Sequence, residues 1–214
     1  MDRTISLREG LANKTFIEKV DYIWTYYKIH IIGFLVLFFF VGSYISNLIN
    51  KQEIYCNITY VGKAINAQEL EPIKNTLSDN LLQNSKKQVI LFDSIFTDID
   101  TQAGIAMKEK LHVNIAAQQI DLAIVNKEFF ETNFSSEMFL NLETLNGFSE
   151  IPISNHELVK KTDSNGNNGI YGISVKNLNL LKDVHYANDD NILVVISNTE
   201  HKDAVMNMLK TFLS

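Results

Sequence analysis

The sequence predicts an α/β protein: a single N-terminal transmembrane helix followed by an α/β sandwich domain. Three observations lead there. From Ile29 to Asn50 the chain carries no Asp, Glu, Lys or Arg. Beyond Gln52, short β-branched runs alternate with stretches of helical periodicity, as in βαβ units. The composition is that of a folded chain, with 9 glycines and 2 prolines among 214 residues, which excludes collagen-like and Pro/Gly-rich disordered classes.

The apolar run IHIIGFLVLFFFVGSYISNLIN fixes the first element. As a helix its length of about 33 Å exceeds a hydrocarbon core of about 30 Å. Lys28 and Lys51 flank it, and Trp24, Tyr26 and Tyr27 precede it, as interfacial anchors do. The exit YISNLINKQEIYC has no A-x-A pattern, and bulky Tyr55 precedes Cys56. Neither signal-peptidase cleavage nor lipoprotein processing is expected, so the run reads as an uncleaved anchor to the lipid bilayer. Mean hydropathy of -0.02 is then an average over a span and a more polar remainder.

Charge gives the expected orientation. Residues 1–28 hold five basic and four acidic groups, a net of +1, which leaves 14 basic and 21 acidic groups in residues 29–214, a net of -7. The positive-inside bias predicts a cytoplasmic N-terminus and an extracellular C-terminal domain at the cell membrane. The overall charge of -6 argues against nucleic acid as a partner, since phosphate recognition needs a basic face. Within 1–28, Phe16, Val20, Ile23, Trp24 and Tyr27 recur at three- and four-residue steps. They predict a cytoplasmic amphipathic helix that lies on the inner leaflet or continues into the span.

Residues 52–214 form the extracytoplasmic domain, roughly 160 residues, enough for one core. Ile54–Val61 reads as a strand. Ala67–Leu82 reads as a helix with Leu70, Ile73, Leu77 and Leu81 on one face, and Pro72 fits only near its first turns. Gln88–Phe92 is a second strand. Thr101–Ala117 is a helix with Ile105, Ala106, Leu111 and Ile115 inward, and Asp121–Val125 is a third strand. Two short helices, Lys127–Phe134 and Glu137–Leu145, flank Ser135 and Ser136. Strands at Gly169–Val175 and Asn191–Ser197 follow, and Glu200–Leu213 closes the chain as a helix with Thr199 as N-cap. The alternation predicts a largely parallel sheet.

Several stretches of this domain resemble known proteins. Ile120–Leu145, IDLAIVNKEFFETNFSSEMFLNLETL, is similar to a strand-and-helix segment of the cleft wall in extracellular solute-binding proteins. YGISV and NILVVISNTEHKDAVMNMLKTFL resemble that fold's later strand and the helix after it. The segments DYIWTYYKIHIIG and DTQAGIAMKEKLHVNIAAQQIDLAIVNKEFF resemble an uncharacterised group of membrane-anchored proteins of Gram-positive bacteria. The resemblance implies a reduced periplasmic-binding-protein-like domain, one lobe with a rudimentary second. It implies partners of two kinds, a small ligand or a membrane protein complex.

No catalytic signature stands out. The five histidines form no H-x-x-x-H pair, so no metal site is expected. Asp163 opens DSNGNNG, but Asn168 and Ser174 occupy the positions where a calcium loop needs Gly and Glu, so a surface turn is expected. There is no G-x-S-x-G elbow and no phosphate loop. Cys56, the single cysteine, sits among apolar residues and reads as buried rather than nucleophilic. Ligands of open α/β sheets gather at the carboxyl ends of strands. Asp93, Asp98 and Asp100 after the second strand, with Asn126 and Lys127 after the third, are therefore the expected ligand-binding residues. The expected function is that of a non-enzymatic binding or interaction module without cofactors, or of a structural or regulatory subunit of a membrane, transporter-like complex.

Overall fold

The structure, a computed structural model, describes residues 15–49, 51–62, 65–83, 85, 87–97, 102–181 and 190–213. The chain divides into two compact units, Met1–Lys51 and Gln52–Ser214.

The first unit holds one helix, α1 (Phe16–Ile49). Glu18 opens it by accepting hydrogen bonds from the backbone N–H and the hydroxyl of Thr15, both at 2.8 Å, half of a capping box. The amphipathic segment and the apolar run are thus one uninterrupted helix, without a break at Lys28. Ile23–Ser46 is long and apolar enough to cross a membrane, 24 residues at a mean hydropathy of 2.1. Phe34, Phe38, Phe39 and Phe40 stand exposed along it.

The second unit is a mixed α/β domain. Its order is β1 (Glu53–Gly62), α2 (Ala67–Leu82), β2 (Gln88–Phe96), α3 (Gln102–Ala116), β3 (Leu122–Asn126), α4 (Lys127–Asn133), β4 (Leu158–Thr162), β5 (Asn168–Ser174), β6 (Asn191–Val195) and α5 (Lys202–Leu213). All six strands join one sheet in the order β2-β1-β3-β6-β5-β4. β1 runs parallel to β2 and β3, whereas β3–β6, β6–β5 and β5–β4 pair antiparallel. The sheet is therefore mixed, with two parallel and three antiparallel pairings among the described strands, not largely parallel. The cause lies in the connections. Helices carry β1 to β2 and β2 to β3, but the turn after β4 allows only a hairpin. In that turn Asp163 accepts hydrogen bonds from the N–H groups of Asn165 (2.9 Å) and Asn167 (2.8 Å), and Gly166 takes a φ of 84°.

Both faces of the sheet are covered. On one, Cys56, Ile58 and Ile90 meet Leu70, Ile73 and Leu77 of α2 and Met208, Leu209 and Phe212 of α5. On the other, Ile95, Ala123, Val125 and Val194 meet Leu111 of α3 and Phe130 of α4. Central strands buried on both sides are apolar throughout, and this explains LAIV in β3 and ILVV in β6.

Three expectations need correction. Glu137–Leu145 is not one helix: only Leu142–Thr144 turns, as a short 3-10 helix capped by Asn141. Glu137 turns left-handed at φ 56°, and Phe139 then bridges Ile196 of the chain leaving β6. The N–H of Leu140 donates to the carbonyl of Val195 at 2.8 Å, so free strand backbone outcompetes helical spacing. The inner face of α3 is rotated from the expected one. Gly104 and Leu111 are buried and Ile115 is half-buried, while Ile105 is 59% exposed. Finally, α5 begins at Lys202 rather than Glu200. The carbonyl of His201 accepts the first helical bond, from Val205 N–H, and the Thr199 hydroxyl accepts from His201 N–H at 3.1 Å, two residues before.

Candidate functional site

β1 and β3 are neighbours, but their following helices leave to opposite faces, α2 to one and α4 to the other. Such a switch point leaves a crevice outside the carboxyl ends of the strands. A cleft of about 640 Å³ opens on this side, lined at the strand ends by Thr97 and Asn126. Lys108 and His112 line it from α3, Glu128, Phe129 and Thr132 from α4. Its floor is apolar, with Leu111 buried and Phe129 half-buried. Its walls are polar, since Lys108, His112, Glu128 and Thr132 are all exposed.

The helix period sets this geometry. Lys108 and His112 are four residues apart, on one face of α3 beside Leu111. Asn126 ends β3 and caps α4, its Oδ1 accepting from Phe129 N–H at 2.7 Å. Asn133 then donates to the Phe129 carbonyl at 2.8 Å, which ties down the far end of the short helix. The arrangement offers an ammonium, an imidazole, hydroxyls and amides over an apolar floor. That set can bind a small polar molecule.

The expected site residues separate. Asn126 lies in the cleft. Lys127 lines a different cavity, of about 450 Å³, with Lys160, Lys161, Glu157 and Asp190. Asp93 is not in the loop after β2, because the strand runs on to Phe96. It is exposed within that edge strand, paired with Thr59, and accepts from Ser94 N–H at 2.8 Å. Asp98 and Asp100 lie outside the described residues. Lys108 and His112 were missed because K-x-x-x-H is an ordinary spacing on a surface helix. The signal that could have found them is their shared face with Leu111. Among the described residues, no group of three or more His, Cys, Asp or Glu is placed to hold a metal ion.

A second polar constellation lies in the core. Asp121, 1% exposed, stands just before β3. It accepts hydrogen bonds from Asn57 N–H at 2.8 Å and the Thr199 hydroxyl at 2.5 Å. His201 Nδ1 lies 3.1 Å from each of its oxygens. Burial first, and then the Asp121 charge, pushes the Cys56 thiol well above its ordinary pKa, so it stays protonated and inert. The cluster joins strand ends to the start of α5 and reads as structural.

No protein-family model matches the chain, and no curated protein does. Among solved structures, an extracellular solute-binding protein family 1 from Alicyclobacillus acidocaldarius subsp. acidocaldarius DSM 446 is similar at 16% identity and a TM-score of 0.34. The match covers 58% of this chain and 28% of that one.

Proposed function

We propose that the chain is a membrane-anchored extracytoplasmic binding module, non-enzymatic, whose cleft at the carboxyl edge of the sheet takes a small polar ligand. The observation that carries the reading is the cleft of about 640 Å³ with Lys108, His112 and Asn126 around an apolar floor. It lies where the topology makes open α/β sheets bind. The anchor is α1, with the N-terminus cytoplasmic and residues 52–214 outside the cell.

The test uses the full chain in non-ionic detergent and a panel of amino acids, dicarboxylates and sugars. Hydrogen exchange reads protection in 102–116 and 127–133. One chemical class should slow exchange there, and Lys108→Ala with His112→Ala should abolish the effect. Variants at Asp93, Asp98, Asp100 and Lys127 measure how far the site extends. Protection that survives Lys108→Ala and His112→Ala would place the ligand elsewhere. A C-terminal reporter active only in the cytoplasm, if it worked, would overturn the orientation.

A second reading has its own observation. Ile105 and Val113, 59% and 63% exposed, leave apolar surface on the outer side of α3. A partner protein in a membrane complex would cover it. Replacing Ile29–Asn50 with an unrelated span distinguishes the two. Loss of function would favour the complex subunit, and retention would favour the outer domain.

A further inference from the structure

We propose that a second cavity, between the β4–β5 turn and the chain leaving α4, binds a small organic cation: an amine or a quaternary ammonium group. It has a volume of about 530 Å³, and Phe134, Phe139 and Tyr171 line it together with Glu137 and Asp163. Among the described residues, no Lys, Arg or His lines it. Phe134 and Tyr171 meet edge to face, centroids 4.9 Å apart at 88°, which makes a rigid aromatic corner. Aromatic rings beside carboxylates suit a weakly hydrated cation, which the ring quadrupole attracts.

Tyr171 adds to the corner. Its side chain is 7% exposed and lines the cavity, and its hydroxyl is not sealed in the core. Burial and then the negative charges of Asp163, Glu137 and Glu143 push the phenol above its ordinary value. The same carboxylates that disfavour a phenolate would favour a cation beside it.

The two lining acids differ in availability. Asp163 is committed to the turn, where Asn165 and Asn167 donate to it. Among the described residues, the Glu137 carboxylate accepts only the Ser164 hydroxyl, at 2.8 Å on Oε1, which leaves Oε2 for a ligand. Lys161 Nζ already stands 6.0 Å from the Phe134 centroid. It pairs with Glu131 at 2.5 Å and does not line the cavity, so it does not fill the role.

The experiment titrates tetramethylammonium chloride into the full chain in non-ionic detergent, replacing sodium chloride at constant ionic strength. The readout is the NMR signals of isotope-labelled tyrosine rings. A saturable shift of Tyr171, with Tyr60 unmoved, is expected. Glu137→Gln and Phe134→Leu should each weaken binding about fivefold, as loss of one ionic or cation–π contact of about 1 kcal/mol predicts. Glu137 is exposed, so that variant keeps the fold. A Tyr171 signal that does not saturate would overturn the proposal. So would an equal response to glucose, or undiminished affinity in both variants. The outcome at this cavity is independent of the carboxyl-edge cleft, because the two share no lining residue.

Discussion

Replacing Asp121 with alanine should destabilise the α/β domain by about 3–5 kcal/mol, the usual cost of breaking a buried charged network. The carboxylate is 1% exposed and accepts from Asn57 N–H, the Thr199 hydroxyl and His201 Nδ1. Hydrogen bonds to a charged group contribute about 1.5–3 kcal/mol each. They share one acceptor and so do not add, which brings the total below their sum. Alanine would leave the Asn57 N–H and the Thr199 hydroxyl buried without their partner. Against a domain stability of about 5–15 kcal/mol, the loss is about a fifth or more. Cys56 offers a selective assay. It is the chain's single cysteine, fully buried in the α/β domain, so its labelling by a thiol reagent across a urea gradient reads that domain without α1. The Asp121→Ala midpoint should fall by the urea equivalent of the loss, and Thr199→Val should fall by about 1.5 kcal/mol. A loss under about 1 kcal/mol for Asp121→Ala would refute the network's role, since that is the size of a single neutral hydrogen bond.

The same labelling assay checks two further expectations, and circular dichroism checks a third. Gly172→Ala should cost about 1–3 kcal/mol by overpacking, because a Cβ there would stand 2.4 Å from Ile192 Cγ2 and 3.3 Å from the Leu193 carbonyl. A neutral result would mean that β5 and β6 yield more than packed strands do. Asn126→Ala should cost about 1 kcal/mol through loss of the α4 cap, with hydrogen exchange rising in 127–133. Stability should fall on the alkaline side. The Cys56 and Tyr171 groups are both raised in the fold, so the unfolded chain ionises first and binds fewer protons. Their contribution is complete below the unfolded values, about 8.5 and 10, and is lost as pH rises from there. Cys56→Ala, followed by circular dichroism, should flatten the earlier part of that decline.

Much of this fold is written locally. β1, β3 and β6 carry β-branched and apolar runs that only a strand buried on two faces needs. α2 shows its Asn66 cap, whose Oδ1 accepts from Gln68 N–H at 3.0 Å, and its inward Leu70, Ile73 and Leu77. β4 was not legible, because LVKKT reads as loop. Its lysines belong to an edge strand, where charge deters pairing with other chains. The segment from Met138 to Leu140 was not legible either. Its state depends on Val195 and Ile196, residues more than fifty positions away. Asn126 could be found from the strand-end rule alone. Asp93 could not be excluded from a loop, since aspartate is a turn residue by habit and the following SIF is too short to announce a strand.

The single sheet also constrains how this domain can hold a ligand. A two-lobed binding protein closes its lobes around a guest, but residues 52–214 place all six strands in one sheet. Asn126 pairs with Asn191 at one end of β6, and Phe139 bridges Ile196 at the other. The carboxyl-edge cleft and the aromatic cavity therefore lie about 17 Å apart along the strand, at 3.3 Å per residue. Neither can close on the other's ligand. Recognition at each must come from walls already in place: Lys108 and His112 on a helix face, Phe134 and Tyr171 in an aromatic corner. Preformed walls cost little ordering on binding, but without closure they leave a guest partly in water. If both proposals hold, modest affinity with fast exchange follows, and the two ligands bind without competing, since the cavities share no lining residue.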